Sequence, residues 1–470
     1  MNEHAALGAP SLKAADSVFD SHALLERIAK DLSRVESTAP FVALAWPVPR
    51  VPSERLLGAE REGTAVFWAP PGDDEVCGLG AAFTLAATGA DRFQSIQAQA
   101  RAAWAQLDAS RCEAPALSPR FLGGFAFQPG QAEEGLWTGF GDARFVLPQL
   151  SYTKSRDGAW LRLIVPNGDW DKPAFRTRLE ASLTRALHAL FTPSLAREPA
   201  RELSRDERSP EAWAELVAAI QSEIKSGHAQ KIVAARRVSL RVDREILPEV
   251  VQGRLREDAP ESTRFAFRVG KATFLGATPE QLVQKRGVEL RTEAVAGSIS
   301  TDDATGAQHL LESGKDIREH EFVVSEILRL LEPLTTELAP APQREVHRLR
   351  TVLHLRTPIQ GKLREASHVL ELVGKLHPTP AVGGVPTSAA IEFIAGHEPD
   401  ERGWYTGPVG WFDAAGDGRF VVALRSGVVS GERADLYAGA GVVQDSNAPS
   451  EFAETRWKLA ALLGALGVSG

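Results

Sequence analysis

Short apolar runs between glycines and prolines dominate the first half of the chain. Between residues 41 and 165 they read FVALAWPV, GTAVFWAP, GGFAF, ARFVLPQLSY and AWLRLIV. Because runs of about four to eight such residues bounded by turn formers are typical of strands, they predict an antiparallel sheet. Helical spacing predicts helices over residues 24–32, 92–107 and 172–191 instead. Residues 1 to about 20 follow neither pattern, and we expect them to form a loosely held tail.

A charged segment separates the two halves of the chain. Residues 195–209, LAREPARELSRDERS, contain almost no large apolar side chains, so we interpret them as a solvated connector. The Ser-Pro-Glu sequence that starts at Ser209 is a good helix start, with serine as N-cap and proline in the first turn. We therefore predict an N-terminal β-rich subdomain, residues 1–205, that packs on a second region, residues 206–470.

Strands and helices alternate in the second half. Strands are predicted for AQKIVAARRVSLRV, RFAFRVG, ATFLGA and QLVQKRGVELRT, and helices for KDIREHEFVVSEILRLLEPL, HVLELVGKLHP and residues 448–466. FVVALRSGVV and ADLYAGAGVV are predicted to form a hairpin across residues 430–433. Hairpins in place of regular βαβ units favour an α+β fold with antiparallel sheets.

Composition and charge limit the kinds of partner. Of 470 residues, 43% are hydrophobic and 24% are charged, and the net charge is -8. Nucleic acid is not expected as a partner, because phosphate binding usually shows as a basic surface. The N-terminus lacks a signal-peptide pattern, and no apolar run reaches the roughly 18 residues that span a membrane, so we expect a cytoplasmic protein. Cys77 and Cys112 lack metal-ligand spacing, so a metal would need carboxylates or histidines, which favours a hard cation such as Mg²⁺.

The last predicted helix carries two acids and a lysine along one side. Glu451, Glu454 and Lys458 follow one another at intervals of three and four residues, so they share a helix face. The simplest interpretation is a solvated edge with ordinary ion pairs. A ligand site is the alternative, because the helix follows a glycine-rich strand end, Gly439 and Gly441, where backbone can approach a ligand closely.

Two other charged residues lie beside apolar positions. Glu319 borders the apolar stripe of its helix that includes Val324, and an inward carboxylate is costly unless it is paired or bound to a metal. Lys231 shares a strand face with Val233 and Ala235, where desolvation favours a neutral amine that can act as a base. Each also has an ordinary interpretation. Glu319 would be a charged border residue, and Lys231 an edge-strand lysine that discourages aggregation.

Two segments with dense turn formers complete the candidates. In FLGATPE, Pro279 restricts the turn after a strand end, and Glu280 is either a helix-start acid or a buried general acid with a raised pKa. Residues 376–386, LHPTPAVGGVP, concentrate prolines, glycines and a histidine in a rigid loop. The loop is either a structural turn or part of a site.

Taken in order, these segments resemble the chorismate-utilising enzymes, which are the anthranilate, aminodeoxychorismate, isochorismate and salicylate synthases. The resemblance covers residues 209–466 well, and in the first half it depends on GGFAF at 123–127 and VLPQL at 146–150. It implies the anthranilate synthase component I-like fold, an α+β assembly of large antiparallel sheets packed together with helices outside. It also implies that residues 206–470 form the chorismate-binding catalytic region. The segments that carry it are QKIVAAR, FLGATPE, TEAVAGS, REHEFVV, HPTPAVGG and GAGVVQDSNAPSEFAETRWK.

The resemblance implies a role for individual residues. Glu319 and Glu454 match direct Mg²⁺ ligands, and Glu451 matches a ligand that acts through water. Lys231 matches the base that activates water, and Glu280 matches the acid that protonates the departing ring hydroxyl. Arg425 and Lys458 match residues that hold substrate carboxylates. The other positions that match the substrate pocket are Tyr437, Gly439, Gly441, His354, Ala381 and Val382.

Residue identity at two positions separates the branches of the family. Ammonia-adding members lack a lysine at the position of Lys231, and Ala381 stands where the salicylate and anthranilate branches usually carry threonine. We therefore expect a Mg²⁺-dependent isochorismate synthase, of the menaquinone type by its long N-terminal half. The alternatives are a salicylate synthase, which also eliminates pyruvate, and an anthranilate synthase component I, which would need ammonia or an amidotransferase subunit that we do not expect. A non-catalytic chorismate-binding subunit is the alternative outside enzymes.

Overall fold

The structure, a computed structural model, describes residues 19–112, 118–192, 198–301, 303, 305–350 and 352–468. Residues 1–18 of the expected tail lie outside this part of the chain. Within the described ranges, no helix combines the length and the apolar character needed to cross a membrane. The helices there are α1 (Ser21–Leu32), α2 (Arg92–Trp104), α3 (Pro173–Phe191), α4 (Pro210–Lys225), α5 (Pro248–Asp258), α6 (Gly306–Glu312), α7 (Gly314–Leu331), α8 (Val369–Leu376), α9 (Thr387–His397) and α10 (Ala448–Leu466).

Most of the predicted helices are confirmed. Helix α4 begins as the sequence predicts, because the Ser209 hydroxyl accepts a hydrogen bond from the backbone N–H of Ala212. Helix α10 has the predicted bounds. Helices α5, α6 and α9 are short, and their apolar residues did not form a pattern long enough to predict them.

Strands occupy most of the remaining described chain. They are β1 (Phe41–Pro47), β2 (Thr64–Ala69), β3 (Glu75–Leu79), β4 (Phe83–Ala87), β5 (Leu107–Asp108), β6 (Phe121–Phe125), β7 (Ala143–Leu147), β8 (Leu150–Lys154), β9 (Ala159–Pro166), β10 (Glu202–Glu207), β11 (Lys231–Val242), β12 (Thr263–Val269), β13 (Ala272–Thr278), β14 (Gln281–Arg286), β15 (Glu289–Ser300), β16 (Thr335–Pro340), β17 (Glu345–Arg348), β18 (Val352–Leu363), β19 (Gly384–Val385), β20 (Pro408–Phe412), β21 (Gly418–Val422), β22 (Ser426–Ser430) and β23 (Arg433–Val442).

These strands form two large sheets. The larger sheet has 13 strands in the order β10-β11-β23-β22-β13-β12-β2-β3-β8-β9-β1-β5, with β19 also paired with β11. The smaller sheet has 10 strands in the order β16-β18-β15-β14-β21-β20-β6-β7-β4, with β17 paired with β18. Among the described strands, β1 and β5 form the one parallel pair. The predicted α+β fold with antiparallel sheets is confirmed.

Strands from both sides of residue 205 share each sheet. In the larger sheet β12 pairs with β2, and in the smaller sheet β20 pairs with β6. The division into an N-terminal β-rich subdomain, residues 1–205, and a catalytic region, residues 206–470, stays a prediction. The connector prediction was wrong for β10, which pairs with β11. An edge strand is held by backbone hydrogen bonds, so its half-exposed side chains need not be apolar.

A buried apolar cluster joins the facing sides of the two sheets. This contact buries large aromatic side chains, which contribute most per residue to the hydrophobic stabilisation of a core. The cluster therefore fixes the distance between the two sheets. That distance in turn sets the size of the open space beside the cluster. The cluster includes Trp68, Phe265 and Val428 of the larger sheet and Leu122, Trp411 and Val421 of the smaller sheet.

The chain passes from the smaller to the larger sheet next to Arg425. Strand β21 ends at Val422, and β22 begins at Ser426 in the other sheet. Arg425 has φ 49°, a left-handed conformation that costs a non-glycine residue about 1 kcal/mol. The prediction of FVVALRSGVV as one strand was wrong, because an apolar run does not reveal which sheet each half joins. The predicted hairpin is confirmed, since β22 pairs with β23.

Candidate active site

A cavity of about 740 Å³, including its mouth, lies where β11, β23 and α10 meet β15, β18 and the links after β13 and β21. It brings together residues that are far apart in the sequence, and all but one of the predicted site residues line it. The exception is Glu451, which is buried one turn before Glu454 on α10. The predicted residues that line the cavity are Lys231, Glu280, Glu319, His354, Ala381, Val382, Arg425, Tyr437, Gly439, Gly441, Glu454 and Lys458.

Lys231 is the first residue of β11, and only 2% of its side chain is exposed. Its Nζ lies 2.7 Å from Oε1 of Glu319. Val233 lines the same cavity, as strand alternation predicts. A Cβ at Gly441 would lie 2.8 Å from Cε of Lys231 and 3.1 Å from Oε1 of Glu319. A larger residue at 441 would therefore displace this ion pair, and Lys231 is a buried residue of the site, not a protective edge lysine.

Glu319 projects from α7 beside the buried stripe of that helix. The fully buried residues are Val323, Ile327 and Leu331, so the stripe runs through Val323, not through Val324 as the sequence suggested. This rotation by one residue turns Glu319 towards the cavity, because it lies one helical turn before Val323. His320, also buried, hydrogen-bonds through Nε2 to Oγ1 of Thr357.

Glu454 and Lys458 form a second ion pair, on α10. The Lys458 Nζ lies 2.5 Å from Oε1 of Glu454 and donates a hydrogen bond of 2.9 Å to the carbonyl oxygen of Gly439. Within the described residues, no three His, Cys, Asp or Glu side chains are grouped closely enough to hold a metal ion. A pair of carboxylates, Glu319 and Glu454, nevertheless lines one cavity. That donor set suits Mg²⁺, which usually takes one or two protein carboxylates and fills its other positions with water and substrate oxygens.

Glu280 lies between β13 and β14 and does not begin a helix, so the helix-start interpretation was wrong. Its carbonyl oxygen accepts a hydrogen bond from the Val422 N–H, which fixes the backbone. Burial, and next the negative charge of Glu293, raise the pKa of Glu280 to about 8, although Lys231 and Lys458 act in the opposite direction. A carboxyl group that stays protonated near neutral pH is suited to donate a proton.

His354 and Arg425 hydrogen-bond to each other across the cavity wall. The Arg425 Nη2 lies 3.3 Å from Nε2 of His354. Because a guanidinium only donates, Nε2 must accept, and the proton belongs on Nδ1, which lies 3.2 Å from the carbonyl oxygen of Gly297. Burial and the charge of Arg425 hold the pKa of His354 well below its ordinary value. Gly297 sits with φ 75° in a β-bulge of β15, which turns this carbonyl towards the histidine.

Aromatic rings form another part of the wall. Tyr437 stacks on Tyr405, with ring centroids 5.3 Å apart, and its hydroxyl accepts a hydrogen bond of 3.0 Å from Nε1 of Trp137. Burial raises the pKa of both tyrosines, so neither phenol ionises near neutral pH. The HPTPAVGG loop contributes Ala381 and Val382. Its histidine, His377, bonds the carbonyl oxygen of Phe127 instead, and burial lowers its pKa to about 3.

Several lining residues were not predicted. Val295 to Ser298 belong to TEAVAGS, a segment that carried the resemblance but to which no role was attached. Tyr405 and Thr406 gave no signal in the sequence, because an aromatic residue beside a threonine and a glycine is common in loops. The unpredicted lining residues are Val233, Pro279, Val295, Ala296, Gly297, Ser298, Tyr405, Thr406, Leu424 and Ala438.

Comparison with known proteins gives consistent matches over most of the chain. A family model described as chorismate binding enzyme matches residues 27–467. The salicylate biosynthesis isochorismate synthase of Pseudomonas aeruginosa is 36% identical in an alignment of 449 positions that covers 92% of this chain and 91% of that protein. The isochorismate synthase MenF of Bacillus subtilis is 32% identical in an alignment of 425 positions that covers 86% of this chain and 88% of the relative.

Solved structures match the fold over a similar share of the chain. The menaquinone-specific isochorismate synthase MenF from Escherichia coli is similar with a TM-score of 0.78 and 27% identity, over 95% of this chain and 100% of that one. Anthranilate synthase component I from Streptococcus pneumoniae is similar with a TM-score of 0.64 and 20% identity, over 96% of this chain and 95% of that one. At that identity the second likeness concerns the fold alone.

Proposed function

The chain belongs to the chorismate binding enzyme family, and from that premise we propose that it is an isochorismate synthase, an isomerase that converts chorismate to isochorismate. The observation that carries the proposal is a buried lysine, Lys231, in the same cavity as a carboxyl group that burial keeps protonated, Glu280. The resemblance implies that ammonia-adding relatives lack this lysine. The relatives described above are named isochorismate synthases, which supports water as the nucleophile.

Chorismate carries two carboxylates, and the cavity offers cations for them. Arg425 is held in place by His354, and burial lowers its pKa to about 10, so it stays charged at neutral pH. Lys458 is fixed between Glu454 and the Gly439 carbonyl oxygen. We propose that these two side chains, Arg425 and Lys458, bind the two substrate carboxylates. The stacked Tyr405 and Tyr437 give an apolar surface for the rest of the molecule.

We propose Mg²⁺ as the cofactor, held by Glu319 and Glu454, with Glu451 acting through water. Bound there, Mg²⁺ would supply Lewis-acid charge for the substrate's ring carboxylate. Glu319 is also the ion-pair partner of Lys231. A metal ion held by Glu319 would weaken the ion pair of that carboxylate with Nζ of Lys231. Glu319→Ala or Glu454→Ala should raise the Mg²⁺ concentration needed for activity, measured by titration after EDTA treatment, and full activity in EDTA contradicts the assignment.

In the proposed reaction, Lys231 acts as a neutral amine and takes a proton from the water that attacks C2 of chorismate. The ring double bonds shift, the bond from C4 to its hydroxyl breaks, and Glu280 gives that hydroxyl a proton so that it leaves as water. One water is consumed and one is released, and the product is an isomer of the substrate. General acid and base groups each contribute about 10²–10⁴-fold to such steps.

The test is product analysis by chromatography after incubation with chorismate and Mg²⁺, with and without ammonium. We expect isochorismate in both samples, no anthranilate and no stoichiometric pyruvate. Pyruvate release with salicylate would favour the salicylate synthase alternative, and an ammonium-dependent product would favour anthranilate synthase. Absence of any product would support a non-catalytic chorismate-binding subunit.

We propose that the isochorismate serves menaquinone synthesis in the cytoplasm. The fold match to the menaquinone-specific enzyme of Escherichia coli supports this pathway, and both cysteines, Cys77 and Cys112, are buried free thiols that suit a reducing compartment. The relative from Pseudomonas aeruginosa is named for salicylate biosynthesis, so the pathway needs its own test. The chain should restore menaquinone to a strain that lacks its menaquinone-specific isochorismate synthase, and failure with active purified enzyme would refute this pathway.

A further inference from the structure

Part of one edge of β11 has no neighbour among the described strands. On that edge β19 pairs with Lys231 and Ile232, and β10 pairs only from Val238 onward. Between them, the backbone of β11 is hydrogen-bonded by two side chains. The carbonyl oxygen of Val233 accepts from Nη2 of Arg402 at 2.8 Å, and the N–H of Ala235 donates to Oε1 of Glu398 at 2.9 Å.

Arg402 and Glu398 are themselves a buried ion pair. Their side chains are 1% and 6% exposed, and the guanidinium donates from Nε and Nη2 to the two carboxylate oxygens at 2.7 and 2.6 Å. The planar group lies over the ring of Phe127, 4.3 Å from its centroid. Such a fork geometry is specific to arginine, because lysine offers a single point of attachment.

The remaining bonds of Arg402 reach other parts of the cavity wall. Its Nη1 donates to the carbonyl oxygen of Val382 at 2.8 Å and lies 3.5 Å from Oγ1 of Thr406. Val233, Val382 and Thr406 all line the cavity. They belong to β11, to the HPTPAVGG loop and to the segment before β20. One guanidinium therefore joins three separate wall elements, including the strand that carries Lys231.

We propose that Arg402, held by Glu398, is a positioning residue that sets the distance between the Ala381–Val382 wall and Lys231, and so determines how tightly chorismate is held. A buried ion pair is weak support for stability, because apolar residues of the same volume often stabilise as well. The five N–H donors of the Arg402 guanidinium instead fix the positions of its hydrogen-bond partners. This inference rests on the proposed function, since it concerns chorismate binding at the same site.

The first experiment compares Arg402→Lys with Arg236→Lys. Arg236 is a matched control, because it is a buried arginine on β11, the strand that Arg402 contacts; it is paired with Glu207 at 2.6 Å and does not line the cavity. Both variants should lose similar thermal stability. Only Arg402→Lys should raise the KM for chorismate, by about tenfold, the usual effect of losing a buried hydrogen bond, with a smaller change in kcat. A folded Arg402→Lys enzyme with wild-type KM overturns the proposal.

A second variant covers the case in which Arg402→Lys does not fold. Glu398→Gln keeps an acceptor for the Ala235 N–H and removes the charge that orients Arg402, so KM should rise by a smaller factor. A wild-type KM in this variant also overturns the proposal. If the wild-type protein makes no isochorismate, the proposed function fails, and that result is distinct from either of these.

A double-mutant cycle tests whether the effect passes through the loop. Val382→Ala alone should raise KM, and adding Arg402→Lys to it should raise KM by clearly less than the product of the two single effects. Fully independent effects would show that Arg402 does not act through the Val382 wall.

Discussion

The charged groups of the cavity are accommodated in two different ways. One set, the paired group, consists of Lys231, Glu319, Glu454 and Lys458, which neutralise one another in two ion pairs. The other set, the neutral group, consists of Glu280 and His354, which form no ion pair with any residue that the structure describes and avoid charge through shifted pKa values. In the paired group the two carboxylates keep their charge for a metal and Lys458 keeps its charge for an anionic substrate, whereas Lys231 acts as a base only after it has lost its proton. In the neutral group, burial keeps Glu280 protonated as a proton donor and keeps His354 neutral as a hydrogen-bond acceptor.

Removing the base should have the largest effect. Lys231→Ala removes the ion pair with Glu319 and should lower kcat by about 10³-fold, within the range for loss of a general base. Chorismate and Mg²⁺ binding, measured by calorimetry, should persist. Lys285→Ala is the matched control, because Lys285 is equally buried and pairs with Asp417 at 2.6 Å outside the cavity. Turnover that survives in Lys231→Ala would remove Lys231 from the mechanism.

Removing the acid should have the next largest effect. Glu280→Gln keeps the shape of the side chain but has no proton to give, so kcat should fall about 10²-fold while the KM for chorismate changes little. Rapid-quench measurement of the first turnover locates the loss in the chemical step. An equal loss of binding and turnover would instead indicate that Glu280 holds the substrate.

The pH dependence of kcat and of stability gives an independent check on the role of Glu280. With a pKa of about 8, Glu280 loses its proton as pH rises, so kcat should decline above about pH 8. Its folded pKa exceeds its ordinary value of 4.5, so the folded state binds a proton more tightly, and its contribution to stability is lost as pH rises from about 4.5 through about 8. Melting curves should therefore show a smaller loss over that range in Glu280→Gln than in the wild type.

Loss of the neutral acceptor should have a smaller effect. His354→Leu removes the group that orients Arg425, so the KM for chorismate should rise about tenfold, as for other buried hydrogen bonds. Because burial holds the pKa of His354 well below its ordinary value, wild-type KM should not change between pH 6 and 7 on its account. A KM that follows a titration near pH 6.5 would show that the imidazole becomes charged.

An effect no larger than that of His354→Leu is expected for crowding the paired group. Gly441→Ala places a methyl group 2.8 Å from Cε of Lys231, a flexible side chain that can shift. We expect a folded enzyme with kcat lowered by roughly tenfold, since small misplacements of a reacting group are costly. Gly464→Ala in α10 meets no atom within 4 Å and should instead stabilise the helix by about 0.5–1 kcal/mol without changing kcat.

The sequence predicted the members of both groups but not how they are arranged. Periodicity reports which face of a strand or helix is apolar, and motifs report residue types, so Lys231, Glu280 and the acids of α7 and α10 were accessible. The passage between sheets at Arg425 was not, because both halves of that segment are equally apolar. Tyr405, Thr406 and the Arg402–Glu398 pair were missed for a related reason. Their roles depend on contacts with β11, β23 and the HPTPAVGG loop, which are distant in sequence.

The position of β23 has a consequence for how the protein is made. This strand lies between β11 and β22 in the larger sheet, yet it precedes only α10 in the described chain. Until β23 has been synthesised, β11 and β22 therefore lack the strand that lies between them, and each has an unpaired edge. Nascent or truncated chains should depend on chaperones, and the cavity can close only after synthesis has passed α10.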